Sequence, residues 1–381
     1  MAPDRRGLGE VAAVFLKLGT MGFGGPAAHV ALTREEVVKR RGWLTDQEFL
    51  DFLGASNVVP GPTSTEVAIH VGAHRAGWRG LLVAGACFIA PAFLIVLGLA
   101  WMYERYGADP AAVDLRYGIL PIVLAVIAHA VFGLLRSAVK SVLLGLVAAA
   151  AFAAFLLDVN EILILAAGGL VVMLWANRDR LRPGATSIVV PLALLGMIGG
   201  GEARIVDPGL GRLFLEFLKF GALVFGSGYV LVAFLEGDLV DANHWITRQQ
   251  LLDAIAVGQV TPGPVFTTAT FVGFQIAGLP GAVLATLGIF LPAFVFVGLL
   301  RPIVAWARRS PWAGGALDGV TGASLGLMAG VTVLLADDAF PDVLTIAFGV
   351  AALAALLWRR VNPAWLVGAG AIVGGAHAVL T

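Results

Sequence analysis

The segment FLKLGTMGFGGP, starting at Phe15, returns as FLKFGALVFGSG, starting at Phe217, and the correspondence continues well beyond it. At the same offset of 202, Trp43-Leu44-Thr45 meets Trp245-Ile246-Thr247, Asn57 meets Gln259, and Pro60-Gly61-Pro62 meets Pro262-Gly263-Pro264. After one deletion, Gly77, Gly80 and Pro91 fall on Gly278, Gly281 and Pro292. Self-similarity on this scale constrains the architecture more than any single element does. The chain is one unit written twice: 1–182 form the first repeat, 208–381 the second, and 183–207 join them.

The medium follows from composition. Apolar residues make up 59% of the chain and charged ones 13%, with a mean hydropathy of +0.90, which a water-soluble surface does not tolerate. Apolar runs at 79–103, 117–136, 138–157 and 160–177, and again at 279–300, 315–336, 342–358 and 362–380, each suit one membrane helix. An all-α polytopic membrane protein is expected. The joining segment TSIVVPLALLGMIGGG, 186–201, is long enough for one additional crossing if slightly extended. One additional crossing turns the second repeat over.

Loop charges agree with that inversion, because Lys and Arg gather in cytoplasmic loops. TREEVVKRRGW is basic and its counterpart LEGDLVDANHW acidic; HRAGWRG is basic and IAGLPG uncharged. YERYGADPAAVDLRYG is on balance acidic against basic RPIVAWARRSPW, and Arg136 with Lys140 stands against Asp337, Asp338 and Asp342. Every compared loop switches preference. The expected topology is therefore two antiparallel repeats, N-terminus cytoplasmic and C-terminus periplasmic, the inverted-repeat plan of many secondary transporters. The basic start of the chain is read as retained, since Lys17 interrupts its apolar run and no small-residue cleavage signature follows. Charges balance at 25 of each sign, giving no argument for nucleic acid, and the single cysteine, Cys87, excludes a disulfide within the chain.

Within this apolar chain, Pro-Gly-Pro occurs twice where a helix would otherwise continue. Segments 46–59 and 63–74 are too short to cross, carry basic flanks and are joined by the first Pro-Gly-Pro, so they read as a re-entrant pair of half-helices. Residues 8–41, broken at GFGGP, invite the same reading. Unpaired backbone groups at membrane depth cost several kcal/mol each, so a break survives only where protein, water or ligand satisfies it. A half-helix that starts at such a break aims free N–H groups and the positive end of its dipole inward, which suits an anion.

The candidate binding residues follow from that geometry. They are Pro60, Gly61, Thr63, Ser64 and Thr65 with Gly24 and Gly25 in the first repeat, and Gly263, Thr267 and Thr268 with Gly226 and Ser227 in the second. Asn57 and Gln259 supply amides just ahead of each break. Four helix starts can thus converge on one small oxyanion. Lys17 and Lys219, each about 13 Å along its helix, are expected either to match the charge of a dianion or to pair with Glu216 or Glu66 and serve the structure. Glu66, which has no acidic counterpart in the second repeat, is a candidate proton carrier or the counter-ion of a lysine. His70, His74 and Arg75 read as a cationic rim on the cytoplasmic side. No cofactor and no metal is expected. The HExxH motif is missing from the sequence, and no enzyme is expected.

The combination FGGPAAHVALTREEVVKRRGWLT, VVPGPTSTEVAIHVG and GLLVAGACFIAPAF, repeated more weakly from Phe217, resembles the chromate ion transporter family in its long two-domain form. The resemblance covers nearly the whole chain. It implies export of chromate across the cytoplasmic membrane of a bacterium, with sulfate as the isosteric competitor. The second repeat departs from the pattern, with Gly226-Ser227-Gly228 in place of the FGGP sequence and Thr267 near the position of Glu66. The main rival is a proton- or sodium-coupled importer of sulfate or another oxyanion. The coupling ion, the oligomeric state (a homodimer included) and the relative contributions of the two halves stay open at this level.

Overall fold

Each repeat begins with two helical hairpins whose tips are its glycine- and proline-rich breaks. The computed structural model describes residues 5–23, 25–56, 59–107, 110–180, 209–225, 228, 230–299, 310–359 and 361–380. The proposed crossing at 186–201, like Gly24, Asn57, Gly226 and Ser227, lies outside the described residues. In the first repeat, α1 (Arg5–Met21) is followed by α2 (Gly25–Arg34) and a π-helical turn (Glu35–Arg40). Lys17 on α1 reaches Glu36 beyond α2, and Gly22 faces His29, so the two arms run back along each other from a tip at 22–25.

The second hairpin joins α3 (Asp46–Ser56) to the start of α4 (Thr63–Tyr106). Phe52 stacks on His70 at 5.4 Å, which makes these arms antiparallel around Gly61. Further on, α4 reverses at Ala76 and Gly77, where Gly77 takes φ +64. A side chain at Gly72 or Gly80 would collide with the other's backbone carbonyl, so both must be glycine for the arms to close. The crossing helix is then the 78–106 portion of α4. Three apolar helices follow: α5 (Pro110–Ala138), α6 (Val142–Leu156) and α7 (Glu161–Ala176).

The second repeat uses the same order. It comprises α8 (Leu210–Leu223), α9 (Val230–Phe234) with a π turn (Leu235–Ala242), and α10 (Arg248–Val260) capped by a Thr247/Gln250 capping box. Then come α11 (Thr268–Leu299), α12 (Pro311–Leu334), the single turn α13 (Ala336–Ala339), α14 (Val343–Arg359) and α15 (Pro363–Leu380). The reversal in α11 falls at Ala277 and Gly278 (φ +59), the counterparts of Ala76 and Gly77. The eight apolar runs of the sequence all appear as helices, and among the described residues four helices are long and apolar enough to cross a membrane: α11, α12, α4 and α5 within Asp114–Arg136.

How the repeats meet decides their relative orientation. The outgoing parts of α4 and α11 are equivalent helices and pack on each other, with Leu81 beside Gly298 and the Phe294 ring filling the space over Gly85. Residue numbers rise along one helix as they fall along the other, so the pair is antiparallel. A two-fold axis that exchanges antiparallel helices is perpendicular to both. For helices that cross a bilayer such an axis lies in the membrane plane, and the repeats are inverted.

The remaining helices are exchanged between repeats. Helix α5 packs on α15, where Gly118 meets the backbone at Gly370 and Gly374, and on α14, where Gly349 faces Pro121. In return α12 packs on α7 through Gly319 against Gly168 and on α6 through Gly326 against Ala148. Small residues permit this close approach where lipid offers no hydrophobic drive for association. At one end of the α5 contact, Tyr117 stacks on His377 at 4.1 Å and donates to Asp342 at 2.6 Å. That hydrogen bond holds the loop carboxyl of Asp342 below its usual range.

Candidate functional site

Pro-Gly-Pro cannot continue a helix: Pro62 becomes the N-cap of α4 in an extended conformation, and Gly61 adopts φ +137. Gly263 does the same at φ +101. These two glycines carry the main finding. The N–H of Gly61 donates to the carbonyl of Val224 at 2.8 Å, and the N–H of Gly263 donates to the carbonyl of Gly22 at 2.9 Å. Gly263 lies 202 residues after Gly61, as Val224 does after Gly22. Each Pro-Gly-Pro tip is thus bonded to the tip of the other repeat's first hairpin, and the two bonds are related by the internal duplication.

The sequence leads one to expect these amides to face an open cavity. Instead the backbone of the opposite repeat satisfies them, which is how the breaks survive at depth. Around each tip the packing is close. A Cβ on Gly61 would sit 2.7 Å from Glu66 Oε1 and 3.6 Å from Ala293, and one on Gly263 would sit 2.7 Å from Ala92. Pro60 is half-buried, Gly61, Ser64 and Thr65 are buried, and Thr63 is half-buried at the first turn of α4, beside them. Gln259, Thr267 and Thr268 are buried at the matching place in the second repeat. Gly25, with φ +78, opens α2 at the first tip.

The halves differ chemically where they agree in shape. Thr267 and Thr268 donate to the carbonyls of Pro264 and Val265, both at 2.8 Å, so the second tip spends its hydroxyls on its own turn. In the first repeat, fully buried Thr65 Oγ1 and both carboxyl oxygens of fully buried Glu66 have no hydrogen-bond partner among the described residues. Unsatisfied polar atoms at membrane depth are costly and are kept where they serve a ligand or a proton.

Lys17 and Lys219 both have carboxylate partners. Neither ammonium faces a tip uncompensated, because each is ion-paired within its own repeat. Lys17 Nζ lies 2.9 Å from Glu36, which also accepts from Arg41 at 2.9 Å. Lys219 pairs with Glu216 and, at 3.0 Å, with Asp238, the counterpart of Glu36. The alternative pairing of a lysine with Glu66 is also not made. Both lysines pin the first helix of a repeat to its π turn, and the lean of a helical side chain toward its own N-terminus carries them away from the break. Lys219→Met strips the cation from two carboxylates about 17% exposed and is expected to cost about 3 kcal/mol, whereas Lys17→Met leaves Glu36 with Arg41 and costs under about 1 kcal/mol. Thermal unfolding in detergent checks the order, and equal shifts would contradict it.

His29 is a tip residue that sequence reasoning missed. Its Nε2 lies 2.8 Å from the Gly22 carbonyl, the one that also accepts from Gly263, while its buried Nδ1 has no partner. Burial holds that ring among Phe88 and the tip backbone. The available signal was its place four residues after Gly25 in FGGPAAH, one turn into the half-helix.

Two regions of the chain, 9–173 and 211–375, match the family described as chromate transporter. The chain belongs to the chromate transporter family. It is 33% identical to a chromate transport protein of Cupriavidus metallidurans over 96% of this chain and 92% of the relative. It is 32% identical to a probable chromate transport protein of Synechococcus elongatus (91% and 89% covered) and 31% identical to a chromate transport protein of Pseudomonas aeruginosa (91% and 85%). No solved structure matches the chain.

Proposed function

We propose that the chain exports chromate from the cytoplasm by alternating access around the four hairpin tips, with sulfate competing as a tetrahedral dianion of similar shape. The carrying observation is the reciprocal pair of bonds, Gly61 to Val224 and Gly263 to Gly22. In this reading those bonds close the pathway, and the substrate oxyanion takes the amides of Gly61 and Gly263 when they open. Beside them lie the first-turn amides of α4, the hydroxyl of Thr65 and Gly25, which opens α2. Membership of a family whose relatives are named for chromate transport supports the substrate. Energetics support the direction: leaving an inside-negative cell releases about 4.6 kcal/mol per dianion at 100 mV.

The test is uptake of labelled chromate and sulfate into everted vesicles, with potential and pH gradient imposed separately. Saturable chromate uptake driven by an inside-positive potential, and inhibited by sulfate, is the expected result. Accumulation that needs a proton or sodium gradient in intact cells would favour the importer, and chemical change of the substrate by the purified protein would favour an enzyme.

The proposed topology has the N-terminus and the π turn of α2 in the cytoplasm, the C-terminus and the π turn of α9 in the periplasm. Cysteines at Arg40 and Asp241 in a chain lacking Cys87 should therefore be labelled by an impermeant maleimide from opposite sides. Labelling from one side refutes the inversion.

A further inference from the structure

On the face assigned to the cytoplasm, the corner after the π turn is shaped by Gly42 at φ +59, which lets Trp43 N–H donate back to the Val37 carbonyl at 2.8 Å. Trp43 is thereby held with its ring between two guanidinium groups, Arg41 at 5.5 Å and Arg75 at 5.4 Å from the ring centre. Glu10 anchors Arg75 from α1 at 2.9 Å, and His74 completes the wall of an open cavity of about 540 Å³. Arg41 also donates to Glu36 at 2.9 Å.

The second repeat offers a comparison inside the same molecule. Trp245 also carries a guanidinium, Arg212 at 5.3 Å, but Asn243 replaces Arg41 and accepts from Arg212 at 2.6 Å. Past the deletion, Gln275 and Ile276 take the places of His74 and Arg75. That end also carries Asp238 and Asp241, which with Asp158 and Glu161 line a cavity of their own. One face therefore presents two arginines and a histidine around a tryptophan, and the opposite face one arginine among carboxylates. The tryptophan–guanidinium contact is retained in both repeats, but the second arginine and the histidine belong to the first alone.

Resting on the export reading above, we infer that the cavity framed by Arg41, Trp43, His74 and Arg75 is a loading subsite for the oxyanion, distinct from the hairpin tips. Stacking on Trp43 fixes the two planar guanidinium groups while leaving N–H edges for tetrahedral oxygens. The site raises the local concentration of dianion at the mouth and hands it inward. A phospholipid headgroup carries the same phosphate-like chemistry, so the experiment separates the two sources.

The test uses the full chain with Glu10→Gln and Arg75→Gln combined, so that no carboxylate is left without its partner. In everted phosphatidylcholine vesicles the half-saturating chromate concentration at the cytoplasmic face should rise about five- to tenfold at low ionic strength. The maximal rate should be unchanged and the salt dependence flatter. Unchanged half-saturation, or a difference seen only when phosphatidylglycerol is present, overturns the subsite, the latter by assigning the cavity to headgroups. Equilibrium dialysis of labelled chromate against purified protein is read independently of transport: the wild type should bind one equivalent more than the double variant. Equal stoichiometry overturns the proposal even if transport fails. If the wild type moves no chromate but the extra equivalent is present, the export reading fails and the subsite stands.

Discussion

Gly61→Ala is expected to lower chromate transport at least tenfold while leaving the protein inserted. Gly61 sits at φ +137, where an L side chain is strained by about 1–3 kcal/mol, and its new Cβ would press on Glu66 Oε1 at 2.7 Å. Relief requires the tip to move, and moving it breaks the bond to Val224 that joins the repeats. Gly263→Ala should act in the same way through Ala92 and Gly22. Replacing Pro60-Gly61-Pro62 by three alanines should be more severe, because a continuous helix removes the tip altogether. The measurement is initial rate in vesicles, normalised to folded protein by size-exclusion chromatography. Normal rates in Gly61→Ala and Gly263→Ala together would dismiss the tips as the transport site.

Glu66→Gln is expected to uncouple transport from the pH gradient while leaving potential-driven flux in place. Glu66 is fully buried, neither carboxyl oxygen has a partner among the described residues, and it touches the Gly61 tip whose opening the transport reading requires. Glutamine keeps the shape and removes the titration. The comparison is chromate flux at fixed potential with and without an imposed pH gradient. The wild type should respond several-fold and the variant should not. An identical response in both assigns Glu66 a packing role, and loss of all flux at both conditions assigns it to substrate binding or folding instead. At the matching place the second repeat has Thr267 and Thr268, which are bonded to their own turn.

Much of this was legible in the chain. The duplication, the eight apolar runs and the two Pro-Gly-Pro breaks are local or periodic signals, and each survives as an element because it depends on what a segment can hydrogen-bond by itself in lipid. Opposed loop charges indicated inversion, and the antiparallel contact of α4 with α11 gives it a geometric form. The pairing of each lysine with its π turn was not legible, because depth along one helix says nothing of which carboxylate a neighbouring turn presents. The partners of Lys17 and Lys219 are set by the π turns, whose extra residue re-aims Glu36 and Asp238.

Sequence alone therefore determined what each segment can be: a crossing helix, a half-helix or a break that must be satisfied. It could not determine by what a break is satisfied. That Gly61 is bonded to Val224 and Gly263 to Gly22, that α5 belongs with α14 and α15, and that α12 belongs with α6 and α7, are outcomes of tertiary packing. Each is a contact between residues far apart in the chain, chosen by glycine-sized surface complementarity across a two-fold axis, and no periodicity within one segment encodes its partner.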